Sequence, residues 1–345
     1  MGVIYVAGER PGAGSTAVAA SLALAIRDAG FRVAAAKPLT LVGDDPDGEF
    51  LSNLPLGSES AGATAPPGST QMVENGTITV DQLDQADRRV QRLARGYENV
   101  VVDGLPLVDT EGGAIGIASA SLTSRLQAKV IGVTPYARSL GSAELAVWKD
   151  AFGDALAGVV INRAPLHADH DVHERLALEF DAASVPLLGV LAEERFMLAP
   201  TVRQVVDLLE GTVYAGASQD QLLIENFLIG GLVTEWGGNY FGRLPNQGVI
   251  VRGGRIDIQM AALNFPLNCL VLTGCESPPQ YVYQRAEGQD VPLVVVASDT
   301  HETTTALEEI ADRVNVRHLE KVTRLAGGLE SALDWEAFRA AAGLG

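Results

Sequence analysis

Lysine is nearly missing from this chain of 345 residues: only Lys37, Lys129, Lys149 and Lys321 supply it. Lysine and arginine together number 25 against 43 aspartates and glutamates, a formal net charge of -18. The pI is near 4.6. No basic tract exists, which argues against nucleic acid and anionic membrane as partners. Solubility is the plainer reason for such an acidic surface. Cysteine is scarce as well. Cys269 and Cys275 cannot form a disulfide framework and suit a reducing cytosol. Aromatics make up 6% of the residues. No apolar run is long enough to span a bilayer, and no charged N-terminal region precedes an apolar signal. The expectation is a cytoplasmic protein, and 345 residues suggest two domains.

The lysine shortage matters most in one loop. Gly2–Gly8 (GVIYVAG) is a β-branched apolar run ending in glycine, which reads as a buried first strand. It feeds the glycine-rich turn GERPGAGST (Gly8–Thr16) and an Ala/Leu-rich helical stretch from Ala17 to Ala29. Strand, glycine turn and helix N-terminus in that order make an anion cradle, with backbone N–H groups and the helix dipole favouring negative charge. The phosphate-loop pattern requires lysine after the last glycine, then a hydroxyl. Here Ser15 takes the lysine position and Thr16 keeps the hydroxyl. The cradle therefore lacks the point charge that neutralises a transferring phosphoryl group. An ordinary strand–helix turn without ligand is the alternative.

Strand-like runs recur at Val3–Ala7, Arg32–Ala36, Val100–Asp103, Lys129–Thr134, Gly158–Asn162 and Pro186–Leu191, with helical stretches between. That alternation predicts a parallel sheet covered by helices. Residues 43–76 form a Gly/Ser/Pro/Asp-rich stretch without a sustained period, read as a long loop. After a helix near Thr201–Glu210, Gly211–Asp220 reads as a domain boundary. A second α/β unit follows, with strands expected at Gly248–Arg252, Cys269–Thr273 and Leu293–Ser298. Leu222–Val233 reads as an apolar helix. The expected domains are 1–212 and 221–335.

Candidate ligand groups fall at the C-terminal ends of the predicted strands, the edge where open α/β sheets bind ligands. Lys37 ends the second strand, Asp103 the third, and Asn162 a later one. Asp103 is placed as a carboxylate near phosphate-bound Mg²⁺ should be, and Asp45 or Asp47 offers a second. In the second domain Gly254 and Arg255, Thr273 and Gly274, and Asp299 and Thr300 follow three successive strands. They make either a small anion site or turn-and-cap chemistry. His167, His170 and His173 could share one helix face as metal ligands. A solvated surface is the favoured reading there. Trp236, Tyr240 and Phe241 are either interface anchors or closure of the second core.

GERPGAGST resembles the dethiobiotin synthetase loop, whose family form is G-T-x-T-x-x-G-K-T. The resemblance continues through AAAKPL (Ala34–Leu39), VVVDG (Val100–Gly104) and VVINR (Val159–Arg163). It is closer still to the dethiobiotin-synthetase-like N-terminal domain of long phosphate acetyltransferases, some of which also lack the loop lysine. Pro186–Leu209 resembles the segment that closes that domain. Val251–Leu263, Leu270–Gly274 and Ala297–Thr304 resemble the DRTGG domain that follows it. The resemblance implies a P-loop NTPase-like parallel sheet plus a smaller α/β DRTGG domain. It implies that Gly12, Gly14, Ser15 and Thr16 lie against phosphates, with Lys37 and Asp103 lining the cleft. Asn162 would then face the adenine, and Thr16, Asp103 and Asp45 would hold Mg²⁺.

The matching stretches stop short of the acetyltransferase's catalytic domain, so transferase activity is not expected. The expectation is a non-catalytic regulatory protein that binds ATP or ADP with Mg²⁺ weakly, or a small metabolite. It would form at least a homodimer and act beside an enzyme of acetate metabolism. The alternative is an ATP-dependent ligase of the dethiobiotin synthetase or cobyrinic acid a,c-diamide synthase type. The amidating form needs a Cys–His pair that neither cysteine's surroundings suggest.

Overall fold

The computed structural model describes residues 2–41, 45–57, 71–73, 78–108, 115–231 and 239–343. Contacts divide the chain into two compact units, Met1–Glu193 with Val316–Gly345, and Glu194–Asn315. These units and the expected domains are divided at different places. The break lies before residue 211, and residues 316–343 belong with the first unit.

In the first unit β1 (Gly2–Gly8), β2 (Val33–Ala36), the short β3 (Leu39–Thr40) and β4 (Gln71–Met72) come first. Then follow β5 (Asn99–Asp103), β6 (Lys129–Pro135), β7 (Leu156–Ala164) and β8 (Leu187–Ala192). Six of these strands form one parallel sheet in the order β2-β5-β1-β6-β7-β8, and β3 pairs with β4. Every residue of β1 is buried. That is why the strand reads as a continuous apolar run rather than an alternating one: a parallel sheet is covered on both faces.

The helices before the first unit's break are α1 (Ser15–Asp28), α2 (Pro46–Ser52), α3 (Val80–Ala94), α4 (Gly116–Leu126) and α5 (Ser142–Phe152). A single turn, α6 (Asp169–Asp171), runs through a π-helical turn toward α7 (Ala177–Ala183). Val3, Tyr5 and Ala7 enter one core with Leu83 and Val90 of α3, Leu122 of α4, Trp148 of α5 and Phe180 of α7. Helix α1 touches β1, β2, β5 and β6, adds nothing to that cluster, and covers the opposite face.

Tyr5 ties this core to the end of β5. Its hydroxyl accepts from Leu105 N at 2.9 Å and donates to Ser119 Oγ at 3.2 Å. Burial pushes that hydroxyl up to about 12. A Cβ on Gly104 would stand 2.2 Å from the ring, so only glycine fits after Asp103.

The second unit holds helix α8 (Val202–Leu209), β9 (Thr212–Ala215), β10 (Asn226–Ile229), β11 (Gln247–Arg252) and α9 (Ile256–Ala262). It continues with β12 (Cys269–Thr273), α10 (Gln280–Glu287), β13 (Leu293–Val296) and α11 (Thr300–Glu308). The sheet order is β10-β11-β12-β13-β9, with only β9 antiparallel. Helices α9 and α10 pack Ile258, Ala262, Val282 and Ala286 on one face. Helices α8 and α11 pack Val202, Val205 and Leu307 on the other.

The chain then returns to the first unit. Helix α12 (Leu319–Ala332) packs on α1 and β8. Ser21 Oγ of α1 donates to the Val322 carbonyl of α12 at 2.9 Å. In α13 (Trp335–Ala342), Arg339 lies 4.9 Å above the Phe31 ring.

Two expectations are corrected. The described part of the apolar stretch expected as a helix, residues 222–231, is not one. It contains β10, which pairs in parallel with β11, and Gly230-Gly231 removes helix propensity beyond it. The long loop 43–76 carries a helix, α2, started by Asp45 and Pro46: Asp45 Oδ1 accepts from Asp47 N at 3.0 Å. Residues 43–44, 58–70 and 74–76 of that stretch lie outside the described residues. Among the described residues, no helix is long and apolar enough to cross a membrane.

Candidate functional site

The Gly8–Thr16 loop is pinned from both sides. Glu9 N donates to Val133 O at 2.8 Å, and Gly8 O accepts from Leu107 N at 2.9 Å. Two glycines turn it: Gly12 at φ 79° and Gly14 at φ 100°. Helix α1 then begins with Gly14 as its cap, and no side chain caps its first N–H groups. Those donors have no intrahelical acceptor, which is what makes a helix start an anion site.

Beside the helix start lies a charged cluster that the sequence edge foreshadowed. Thr16 Oγ1 donates to Asp103 Oδ2 at 2.7 Å and stands 3.3 Å from Asp47 Oδ2. Lys37 Nζ is 2.9 Å from Asp45, 3.2 Å from Asp47 and 3.3 Å from Asp103. Arg317 meets the remaining oxygen of Asp47 at 2.9 Å. Asp103 is sealed at the end of β5, and its second oxygen, Oδ1, is buried and accepts no hydrogen bond.

The charges answer to this packing. Burial alone would push the Lys37 ammonium down, but the Asp103, Asp47 and Asp45 carboxylates outweigh it and hold it above its ordinary value. Burial likewise pushes the Asp47 carboxyl up, yet Lys37 and Arg317 together hold it below the usual carboxylate range. Asp103 goes the other way. Its complete burial wins over Lys37 and Thr16 and raises it.

The expected residues Gly12, Gly14, Ser15, Thr16, Lys37, Asp45 and Asp103 thus share one neighbourhood. Thr16 Oγ1 and the unpartnered Asp103 Oδ1 are hard oxygen donors of the type Mg²⁺ accepts. Asp45 is committed elsewhere, with one oxygen on Lys37 and the other capping α2. Asn162 reaches the loop in a different manner from that expected. Its Nδ2 donates to Ala13 O at 2.9 Å and its Oδ1 accepts from Arg163 N at 2.9 Å. Both ends of this buried amide are engaged with backbone, so it braces the loop rather than presenting an edge to a base. Sequence reasoning missed Arg317, which lies 270 positions from Asp47 and in no motif.

In the second unit, Thr273 Oγ1 and Thr300 Oγ1 lie 2.7 Å apart. Asp299 caps α11 through Glu302 N, and Glu302 reaches back to Asp299 N. Arg255 forks onto Asp257 at 2.8 and 3.0 Å. Cap and turn chemistry therefore engages Asp299 and Arg255, while Gly254 and Gly274 have open space where a Cβ would stand.

His170 pairs with Glu174 at 3.2 Å on the surface. The side chain of His173 is outside the description, and among the described residues no His, Cys, Asp or Glu group of three has metal-site geometry. Trp236 also lies outside the described residues. Phe241 is buried against Phe265, so core closure accounts for it. Burial pushes Cys269 up to about 12 and raises Cys275, the opposite of an activated thiol.

Among solved structures, MinD of Aquifex aeolicus is similar to this chain. It is 13% identical, covers 57% of this chain and 84% of that one, and has a TM-score of 0.39. FtsY of Elizabethkingia anophelis in complex with GDP is 15% identical, at 56% and 57% coverage and a TM-score of 0.36. The CBS and DRTGG regulatory region of Clostridium perfringens pyrophosphatase, complexed with diadenosine tetraphosphate, is 15% identical with a TM-score of 0.30. The match covers 36% of this chain and about half, 53%, of that one. At these TM-scores the fold is carried by the sheet order itself, an α/β parallel sheet with a crossover helix after a glycine loop. Residues 204–310, inside the second unit, match the family described as the DRTGG domain.

Proposed function

We propose that this chain is a non-catalytic, ligand-sensing regulatory protein, a relative of the N-terminal half of long phosphate acetyltransferases. Its first unit, which carries the Gly8–Thr16 loop, binds ATP or ADP with Mg²⁺ weakly and does not turn it over. Its second, within the unit Glu194–Asn315, is the DRTGG-type sensor, with Gly254, Arg255, Thr273, Gly274, Asp299 and Thr300 at its ligand edge. The observation that carries this reading is the state of the two lysine positions. Ser15 fills one, and at the other Lys37 is held by three carboxylates. Neither offers an ammonium to bridge transferring phosphates, and losing one such donor costs about a hundred- to a thousandfold in rate.

The pairing of Thr16 with Asp103, whose free oxygen suits Mg²⁺, favours a ligase as the second reading. Phosphate release from ATP separates the two. The regulatory reading expects none above background, and Ser15→Lys is expected to tighten ATP binding about tenfold by restoring one charge-assisted contact. Release by the unmodified protein at about one turnover per second or faster would establish the ligase instead.

The protein we envisage is cytoplasmic and self-associating, and acts beside an enzyme of acetate metabolism. Light scattering at micromolar concentration should give at least twice the 36.2 kDa of one chain. A value equal to one chain removes the oligomer from the proposal.

A further inference from the structure

The loop lacks its lysine, yet one cation stands next to it that no motif supplies. Arg317 enters from the returning C-terminal segment, two positions beyond Asn315, where the second unit ends. Its guanidinium and the loop hydroxyl of Thr16 sit on the two oxygens of one carboxylate: Arg317 on Asp47 Oδ1 at 2.9 Å, and Thr16 near Oδ2 at 3.3 Å. About a third of the Arg317 side chain is exposed, against 13% for Lys37. Lys37 is bound by three carboxylates and is the poorer candidate to move.

We propose that Arg317 is the phosphate-binding cation of this loop, taking the role left open by Ser15. The inference rests on the reading that the Gly8–Thr16 loop cradles a phosphate. A polyphosphate ligand, a nucleoside triphosphate by preference, would set its terminal phosphates on the N–H groups of α1. Arg317 would exchange Asp47 for two phosphate oxygens, a bidentate pairing for which its planar fork is suited. Thr16 and the unpartnered, fully buried Asp103 Oδ1 would face the accompanying cation. The charges agree with this division. Asp45, Asp47 and Asp103 against Lys37 and Arg317 leave one negative charge, which a divalent cation reverses. In metal-free conditions Asp47 competes with the phosphate for Arg317.

The test is calorimetric titration of the full chain with ATP, in EDTA and in Mg²⁺, for five proteins. These are the wild type, Arg317→Ala, Arg317→Lys, Asp47→Asn, and Arg317→Ala combined with Ser15→Lys. Removing Arg317 should weaken ATP binding about ten- to a hundredfold. Arg317→Lys should keep part of it, and Ser15→Lys in the Arg317→Ala background should restore it. Asp47→Asn should tighten metal-free binding, because it removes the carboxylate that competes with the phosphate for Arg317. That last result separates a ligand-binding role from a structural one, since a merely structural ion pair would suffer equally from either side. Wild-type binding that survives Arg317→Ala unchanged overturns the proposal while leaving the phosphate cradle intact. So does a loss in Asp47→Asn as large as in Arg317→Ala. If neither the wild type nor the Ser15→Lys-containing chain binds ATP, the cradle reading fails as well, and Arg317 with it.

Discussion

Replacing Lys37 with Met is expected to cost about 3–5 kcal/mol of stability at pH 7, the size of effect found when one partner of a buried ion pair is removed. Met keeps most of the chain length and apolar volume, so the loss isolates charge. Lys37 stands within 3.3 Å of three carboxylates, and Asp103 has no exposed side-chain surface at all. Arg317 would still reach Asp47, but nothing comparable remains for Asp45 and Asp103.

The pH dependence follows from the directions of the shifts. Lys37 sits above its ordinary value, so its contribution is complete below pH ~10 and fades only in strong alkali. Asp47 sits below its ordinary value; its contribution is present above pH ~4 and is lost as acid protonates it. Asp103 is raised by burial, so its ionisation weakens the fold above pH ~4, and protonation returns that stability. Without Lys37, whose charge holds it down, the Asp103 carboxyl should rise further. Urea denaturation should therefore show a smaller gap between Lys37→Met and wild type at pH 5 than at pH 7. Adding Asp103→Asn should recover part of the loss at pH 7. An equal gap at both pH values would mean that packing, not uncompensated charge, sets the cost.

The same cluster shows what a sequence can and cannot disclose about such a site. Thr16, Lys37 and Asp103 were legible because each closes or follows an apolar run, and strand ends of a parallel sheet share one edge. The central, parallel placement of β1 follows from that logic too, since a run buried on both faces belongs inside a sheet. What the residues do to one another was not legible. That Lys37 would be held by three carboxylates depends on α2, a seven-residue helix hidden in a stretch read as loop, whose Asp45 cap turns both carboxylates toward β2. Arg317 had no local signal, because its place is set by α12 folding back on α1. Residues 222–231 were misread because an apolar run suits either state, and the pairing of Asn226–Ile229 with β11 decided it.

Gly14→Ala is expected to cost about 2–4 kcal/mol, more than Gly12→Ala, although both glycines have positive φ. The difference lies in what a methyl group would meet. At Gly12, φ 79°, nothing stands within 4 Å of an added Cβ, so only the left-handed backbone penalty of about 1–2 kcal/mol applies. At Gly14, φ 100°, the Cβ would lie 2.3 Å from Asn162 Nδ2. That amide cannot step aside freely. It is short and buried, it donates to Ala13 O and accepts from Arg163 N, and Arg163 itself is held at φ 57°. Moving it breaks the bond that braces the loop, a further loss of about 1 kcal/mol. A double-mutant cycle makes the cause visible. In an Asn162→Ala background the clash partner is gone, and Gly14→Ala should then cost no more than Gly12→Ala does. Urea denaturation of the four single and double variants supplies all the terms. If Gly14→Ala costs the same with and without Asn162, the brace is not what requires glycine there, and backbone strain alone explains the position.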